Sequence, residues 1–447
     1  MSDASNSPKK TFNRQAFEIF MFVYNNDISL SAPDLINNEG AVDVPPGNIT
    51  SMEFENSIDN MIPTATFQIQ DNGHKITNRL KMQNCRLFIS VKTAGGDEVI
   101  YYNLTYLVKN FNIISTSIEF TQYIIYCELD NAIPLNTLCE YATSCDLNND
   151  NEQPENPYKI ARNILTQVGY KLYPLTMKDE KGQDIPTKYD LPYTNDFYHF
   201  ITHTNMKCID ALHYLFSIAV GENGMNPPAY LIHNLKDDKG YITTLENCFS
   251  PQAIKTQPKP LLIPFSITKS VFPSRQYTMD QISLDAKDGG IENAQQFFNY
   301  KFSEYDQEER LWESYDINKI VLNDLLTRGI NDSEEVSLYV KTLNEDISLA
   351  KYYKYVPHDH PRLYDVMRNL ELYSSNMQFV IDGDLRFDIG QVILVYEKGS
   401  NESKLEQFNG RWLVCKVKHT FRNGAYKTSL VCCRRFYQKH STFNDKK

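Results

Sequence analysis

The chain has 447 residues, 41% of them hydrophobic and 23% charged, a soluble globular composition with length for two to four domains. No apolar run approaches the roughly eighteen residues of a membrane helix, so no membrane anchor is expected, and the polar start MSDASNSPKKTFNRQ reads as a disordered arm (1–13) rather than a secretory signal. A net charge of −11 disfavours tight sequence-independent binding to nucleic acid, which depends on cationic side chains, though DNA could still slide past such a surface. The nine cysteines are scattered without a CxxC pair, which favours free thiols made in a reducing cytoplasm over a disulfide framework.

From 14 to 136 the chain reads as strand. ATFQIQD (65–71) alternates, RLFISVKT (86–93) is apolar, and YYNLTYLVKNFNI (101–113) and IEFTQYIIYCEL (118–129) follow, separated by turn residues. The arrangement suggests a barrel or sandwich. A polar, Asn-rich boundary at 137–156 gives way to a different period. Asn156 before Pro157 starts a helix with Ile160, Ile164 and Val168 on one face and Gly169 as its stop. A second helix is expected over 207–220 and a strand at 229–233, which makes 137–264 an α/β domain. Residues 265–284 are extended again; 285–375 gain charge and form a partly helical insertion, with a helix after Asp359. Strands resume from 376 to 440, and 441–447 is a tail. The fold class is mostly β with α+β segments.

The last strands carry the most specific signal. Asn423-Gly424 suits the two positive φ angles of a type I′ turn, which sets Phe421 opposite Tyr426, His419 opposite Thr428, Val417 opposite Leu430 and Cys415 opposite Cys432. One face is mostly apolar, and the other bears Lys416, Lys418, Arg422 and Lys427, so one face should meet a core and the other water or a partner. The 411–440 segment is basic and has no acidic residue, which suits docking on an acidic neighbouring subunit. A similar run of strands lies three hundred residues earlier. Leu87 to Leu107 and Ile393 to Leu413 both span twenty residues; Leu107 to Cys127 spans twenty and Leu413 to Cys432 nineteen. Any two antiparallel meanders could share that spacing, so the residues leave accident and duplication both open.

GDLRFDIGQVILVYEKG followed by FNGRWLVCKVKHTFRNGAYKTSLVCCRRF resembles the closing part of the baseplate hub proteins of contractile-tailed phages and the related hub portion of type VI secretion spikes. The matching positions are Gly410, Trp412, Val414, Val417, His419, Tyr426, Thr428 and Leu430, with the turn at Asn423 and Gly424. The resemblance implies two tail-tube-like antiparallel β-barrels, at 14–136 and at 265–284 with 376–440. It implies a homotrimer whose six barrel units adapt a hexameric tube to a threefold spike, an arrangement that symmetry makes reasonable for a chain with two copies of one interface. Implied partners are the tail tube protein, a central spike protein, the tape measure protein and baseplate wedge proteins, with DNA only passing through the lumen. The implied location is the virion baseplate, assembled in the host cytoplasm. A phage-derived contractile injection device or type VI-like hub is the nearest alternative.

Candidate chemistry is sparse. His199 and His203 could share a helix face with Cys208 and His213 nearby, but HExxH is absent. The His-x-His of 357–362 is accounted for by Asp359 as a helix cap. DLNNDNEQPEN (146–156) lacks the glycine and final carboxylate of a calcium loop. The carboxylates of EYDQEERLWE (304–313) read as the wet face of a charged helix rather than a glycosidase pair. No metal, cofactor or catalytic residue is expected, and the chain is read as a non-enzyme. A carbohydrate-binding adhesive protein and a cell-wall hydrolase are the rival classes; the first calls for exposed aromatic platforms, the second for a convergent acid/base pair.

Overall fold

Period-two alternation dominates the chain. In Thr64–Asn72 and Phe120–Leu129 every second residue is buried, as in a sheet with one face on a core. The computed structural model describes residues 9–12, 15–94, 100–144, 155–173, 177–178, 184–185, 199–218, 230–243, 262–265, 281–285, 301–306, 311–316, 375–397 and 410–434.

The first unit comprises β1 (Lys9–Phe12), β2 (Gln15–Asn25), α1 (Ala32–Ile36), β3 (Val42–Asp43), β4 (Ile49–Ser57), β5 (Thr64–Asn72), α2 (Thr77–Leu80), β6 (Cys85–Ala94), β7 (Tyr101–Thr116) and β8 (Phe120–Leu129). Its strands run in the order β1-β2-β6-β7-β8-β5-β4, all antiparallel. Strand β1 lies inside the expected disordered arm. Phe12 is buried edge-on to Phe17 and Phe421, and the area one aromatic buries holds the short segment against β2. Residues 1–8 lie outside the described residues.

The middle of the chain supplies β9 (Ala142–Ser144), α3 (Pro157–Gln167), β10 (Met177–Lys178), β11 (Asp184–Ile185), β12 (His199–Ile201), α4 (Cys208–Ile218), β13 (Tyr230–Asn234) and β14 (Lys239–Thr243). Helix α3 is capped as its sequence dictates. The Asn156 side chain accepts from the Tyr158 N–H at 2.8 Å, Pro157 sits in the first turn, Ile160 and Ile164 are buried, and Gly169 takes φ of 79° just past the end. His199 departs from expectation. It lies in a strand paired with Ser144 of β9, where the neighbouring Phe200 is buried, so His199 and His203 do not share a helix face.

The second unit contains β15 (Leu262–Phe265), β16 (Gln281–Asp285), β17 (Lys301–Asp306), β18 (Leu311–Asp316), β19 (Ser375–Asp382), β20 (Val392–Glu397), β21 (Gly410–Arg422) and β22 (Ala425–Arg434). The carboxylate-rich segment expected as a charged helix is instead a hairpin, with Glu304 opposite Glu313. Its Phe, Tyr and Trp residues favour strand over helix. The helix expected after Asp359 falls outside the described residues.

The two units repeat one another. The neighbour order β4-β5-β8-β7-β6 recurs as β16-β19-β22-β21-β20, antiparallel at every step. Register repeats as well. Leu87 faces Tyr106 where Ile393 faces Trp412, and Val108 faces Cys127 where Val414 faces Cys432. Both long strands then slip by one residue at the same place, between Val108 and Asn110 and between Val414 and Lys416. Generic meanders share a topology readily, but a bulge at one equivalent position is a specific inherited feature. The pairing of β4 with β21 joins the units into one 14-stranded sheet.

The last hairpin has the expected turn, with φ of 52° at Asn423 and 74° at Gly424. Phe421–Tyr426, His419–Thr428 and Val417–Leu430 are opposed as expected. Cys415 is not opposite Cys432. It is the bulged residue, its carbonyl accepts from Ile58 N–H at 2.8 Å, and Val414 faces Cys432 instead. A second glycine is constrained by space rather than by φ: a Cβ on Gly383 would lie 2.1 Å from the Tyr426 ring. Gly424→Ala should lower stability by about 1 kcal/mol through its left-handed φ alone, and Gly383→Ala by more, about 1–3 kcal/mol, through overpacking. Denaturant unfolding of the two variants checks the order.

Candidate assembly interface

The hairpin residues singled out in the sequence converge on a core. Trp412, Val414, Val417, His419, Tyr426, Thr428 and Leu430 are all buried, Asn423 and Gly424 form the turn, and Gly410 opens β21 opposite Val395. His419 is the knot. Its Nδ1 lies 3.1 Å from Thr428 Oγ1 and 3.0 Å from Tyr426 Oη, and its Nε2 lies 3.1 Å from both Tyr102 Oη and the Phe387 carbonyl. Tyr102 Oη also donates to the Leu385 carbonyl at 3.0 Å. A strand of the first unit is thereby fastened to two strands and a loop of the second. Burial pushes the His419 imidazole down to about 4, so it stays neutral. Tyr102 was invisible to local sequence reading because it lies 317 residues from His419.

A second buried network ties all three regions together. Asp388 accepts from Asn56 Nδ2 of β4 at 3.0 Å, from Leu235 N–H at 2.6 Å and from Ile389 N–H at 2.8 Å. Asn56 Nδ2 also reaches the His233 carbonyl at 2.6 Å, while the His233 ring bridges Tyr170 Oη and Asp238. Burial pushes the Asp388 carboxyl up to about 6 against the opposing pull of its three donors. These groups resemble acid/base parts, yet they are spent on one another inside the protein; Asn56 Oδ1 alone among them is buried without a partner among the described residues, and a buried polar network paired this closely fixes geometry. Among the described residues, no three His, Cys, Asp or Glu side chains group as metal ligands would. The described cysteines are buried free thiols.

The basic face of the hairpin is partnered within the chain. Lys416 meets Glu55 at 2.6 Å, Lys418 meets Glu53 at 2.7 Å and Lys427 meets Asp382 at 3.0 Å. The acidic surface expected on a neighbouring subunit is thus supplied by β4 and β19, which local sequence could not bring alongside β21.

The repeat leaves its two copies unequal at one place. Strand β20 covers the first part of β21 and β4 covers the rest, from Lys416 to Arg422. Strand β6 likewise covers β7 from Tyr101 to Leu107. Beyond that point, among the described residues, β7 pairs only with β8, which leaves one edge of Lys109–Thr116 without a described neighbour. Ile113 and Ile114 on this stretch are 56% and 46% exposed, and Ile118 at the adjoining turn is 97% exposed. Among the described residues β16 likewise pairs on one side only, with β19. Open edges of this length with exposed apolar residues are sites where another strand adds.

No protein-family model matches the sequence, and no curated protein matches it. Among solved structures, the chain is similar to a tail protein from Neisseria meningitidis (8% identity, TM-score 0.46, 94% of this chain and 96% of that one). It is also similar to a 43 kDa tail protein of a Shewanella oneidensis prophage (8% identity, TM-score 0.46, 93% and 98%). A third is an Escherichia coli component of the type VI secretion system, described as structurally similar to T4 bacteriophage tail proteins (8% identity, TM-score 0.44, 88% and 76%).

The two buried groups set opposite pH dependences. His419 binds its proton less readily folded than unfolded, so its contribution to stability is lost as pH falls from about 6.5 to about 4, by about 3 kcal/mol. Asp388 binds its proton more readily folded, so its burden of about 3 kcal/mol is relieved as pH falls from about 6 to about 4. The two slopes oppose across that range. Asp388→Asn should therefore unmask a steeper loss of stability with acid than the parent shows, and His419→Gln a shallower one. Urea titrations at about pH 4.5, 5.5 and 6.5, roughly spanning the two transitions, read the slopes; equal slopes in all three proteins would contradict the assignment.

Proposed function

We propose that this chain is a non-enzymatic structural hub of a contractile phage tail. It trimerises, joins a hexameric tail tube to a central spike, and forms part of the channel through which DNA passes. The observation that carries this reading is the internal repeat: one polypeptide holds the same five-stranded unit twice, down to the position of the bulge. Three such chains present six similar units, which is what a threefold assembly needs to meet a sixfold neighbour.

Three further features support it. The titratable groups of the two interior networks are engaged with each other and with backbone, which suits a scaffold. The joined sheet gives the pair of units a fixed relative geometry through the β4·β21 ladder. The −11 net charge disfavours adhesion to DNA and suits passage past it. The tape measure and baseplate wedge proteins complete the expected partners, and the virion baseplate is the expected place.

Light scattering and electron microscopy of the purified chain test the reading. A ring of three chains with six density lobes is expected, together with co-sedimentation with a tube protein from the same source. A chain that turns over peptidoglycan or a glycan while staying monomeric would overturn it.

A further inference from the structure

We propose that Cys415 and Cys433 are a redox-active pair, which a small disulfide oxidant of the glutathione class closes into a cross-strand disulfide at the bulge of β21. The ladder puts the two thiols together. Leu413 faces Cys433 and Val414 faces Cys432, and the slip between Val414 and Lys416 leaves Cys415 as the extra residue. Successive side chains of a strand alternate between faces, so Cys433 shares the face of Leu413, while Cys432 lies on the opposite face with Val414. Cys415 comes next on the Leu413 side. Its Sγ lies 3.7 Å from the Leu413 carbonyl, hydrogen-bonds with the Cys433 thiol and accepts from the Cys433 N–H. Both cysteines are free and buried, Cys415 at 6% exposure and Cys433 at 2%, in a core cluster that includes Ile58.

The first unit supports the pairing independently. Leu107–Glu128 corresponds to Leu413–Cys433 and Val108–Cys127 to Val414–Cys432, and the extra residue there is Lys109. Lys109 and Glu128 are therefore the counterparts of Cys415 and Cys433, and they form an ion pair at 3.3 Å. Both units bring the same two positions together across the bulge, the first with partly exposed charges and the second with buried thiols. Cys415 also serves the joint between the units, because its carbonyl accepts from Ile58 N–H at 2.8 Å just past the end of β4. A disulfide at this point restrains the bulge, that contact and the base of the last hairpin together, and stabilises by limiting the freedom of the unfolded chain.

The exchange runs in two balanced steps. Cys415, the less enclosed of the two, attacks as thiolate on one sulfur of oxidised glutathione, forming a mixed disulfide and releasing one glutathione thiolate. The Cys433 thiolate then attacks the Cys415 sulfur, forming the cross-strand bond and releasing the second glutathione. The leaving thiolates take up the two protons, so two protein thiols are oxidised and one glutathione disulfide is reduced to two thiols. The Cys433 contact and burial push the Cys415 thiol up, which keeps its thiolate scarce and the reaction of the folded chain slow. In a reducing cytoplasm the pair stays open, and an oxidising exterior closes it.

Incubating the folded full chain with oxidised glutathione, alkylating the remaining thiols and analysing the peptides by mass spectrometry tests this. The expected product joins the Cys415 peptide to the peptide carrying Cys432 and Cys433, and fragmentation between those two neighbours should assign the link to Cys433 in the parent chain itself, whether or not any variant folds. Cys432→Ser should keep the link and Cys433→Ser should lose it. The oxidised parent should unfold at a urea midpoint about 1 M above that of the reduced parent, and Cys433→Ser should show no such shift. Glutathione adducts on Cys415 without a link, a link assigned to Cys432, or both thiols still free in the folded chain after an incubation that oxidises the same chain in urea would overturn the proposal.

Discussion

The ladder between β4 and β21 is the constraint from which the architecture follows. Seven residue pairs hold the opening unit to the closing one, although nearly the whole chain separates them. On the inner face, Phe421 packs edge-on to Phe12, Phe17 and Phe54, and stacks on Tyr426 at 4.0 Å between centroids. On the outer face, Lys416 and Lys418 meet Glu55 and Glu53. Those ion pairs are about a third or more exposed and contribute little to stability; they select register, while the buried aromatics supply the driving force.

The interior polar groups serve the same joint. Asn56 on β4 reaches Asp388 of the second unit and the His233 carbonyl of the middle region. His419 on β21 reaches Tyr102 of the first unit. Each network places hydrogen-bonding demands on groups from distant parts of the chain, and leaving any of them unmet in a buried setting is costly. A displaced joint would strand several at once. The two units are thus held in one relative geometry, which a component of a symmetric assembly requires.

Much of this was legible in the sequence where the signal is local. Asn156-Pro157 and Gly169 delimit α3, and Asn423-Gly424 sets the hairpin and three of its four opposed pairs. The duplication was legible only as spacing. Its decisive features, the shared bulge and the strand order, are properties of pairing, and β16 and β19 lie ninety residues apart in sequence with β17 and β18 between them. Cys415 was misplaced because an extra residue in a ladder leaves no mark on alternation until its partner is known. The basic face of β21 is expected from sequence to meet an acidic neighbouring subunit, whereas its partners Glu53 and Glu55 sit in an ordinary alternating strand of the same chain three hundred and sixty residues earlier, with nothing local to match them to lysines. The bare edge of β7 was hidden for the same reason: a strand's sequence does not say which of its sides is taken.

Amide hydrogen exchange on the isolated and the assembled chain tests the central claim most directly. The account expects the amides of Lys109–Thr116 that point away from β8 to exchange fast in the single chain and slowly in the assembly. Their counterparts from Lys416 to Arg422, already covered by β4, should exchange slowly in both. Equal exchange from Lys109 to Thr116 in the two states, or fast exchange from Lys416 to Arg422 in the single chain, would contradict it.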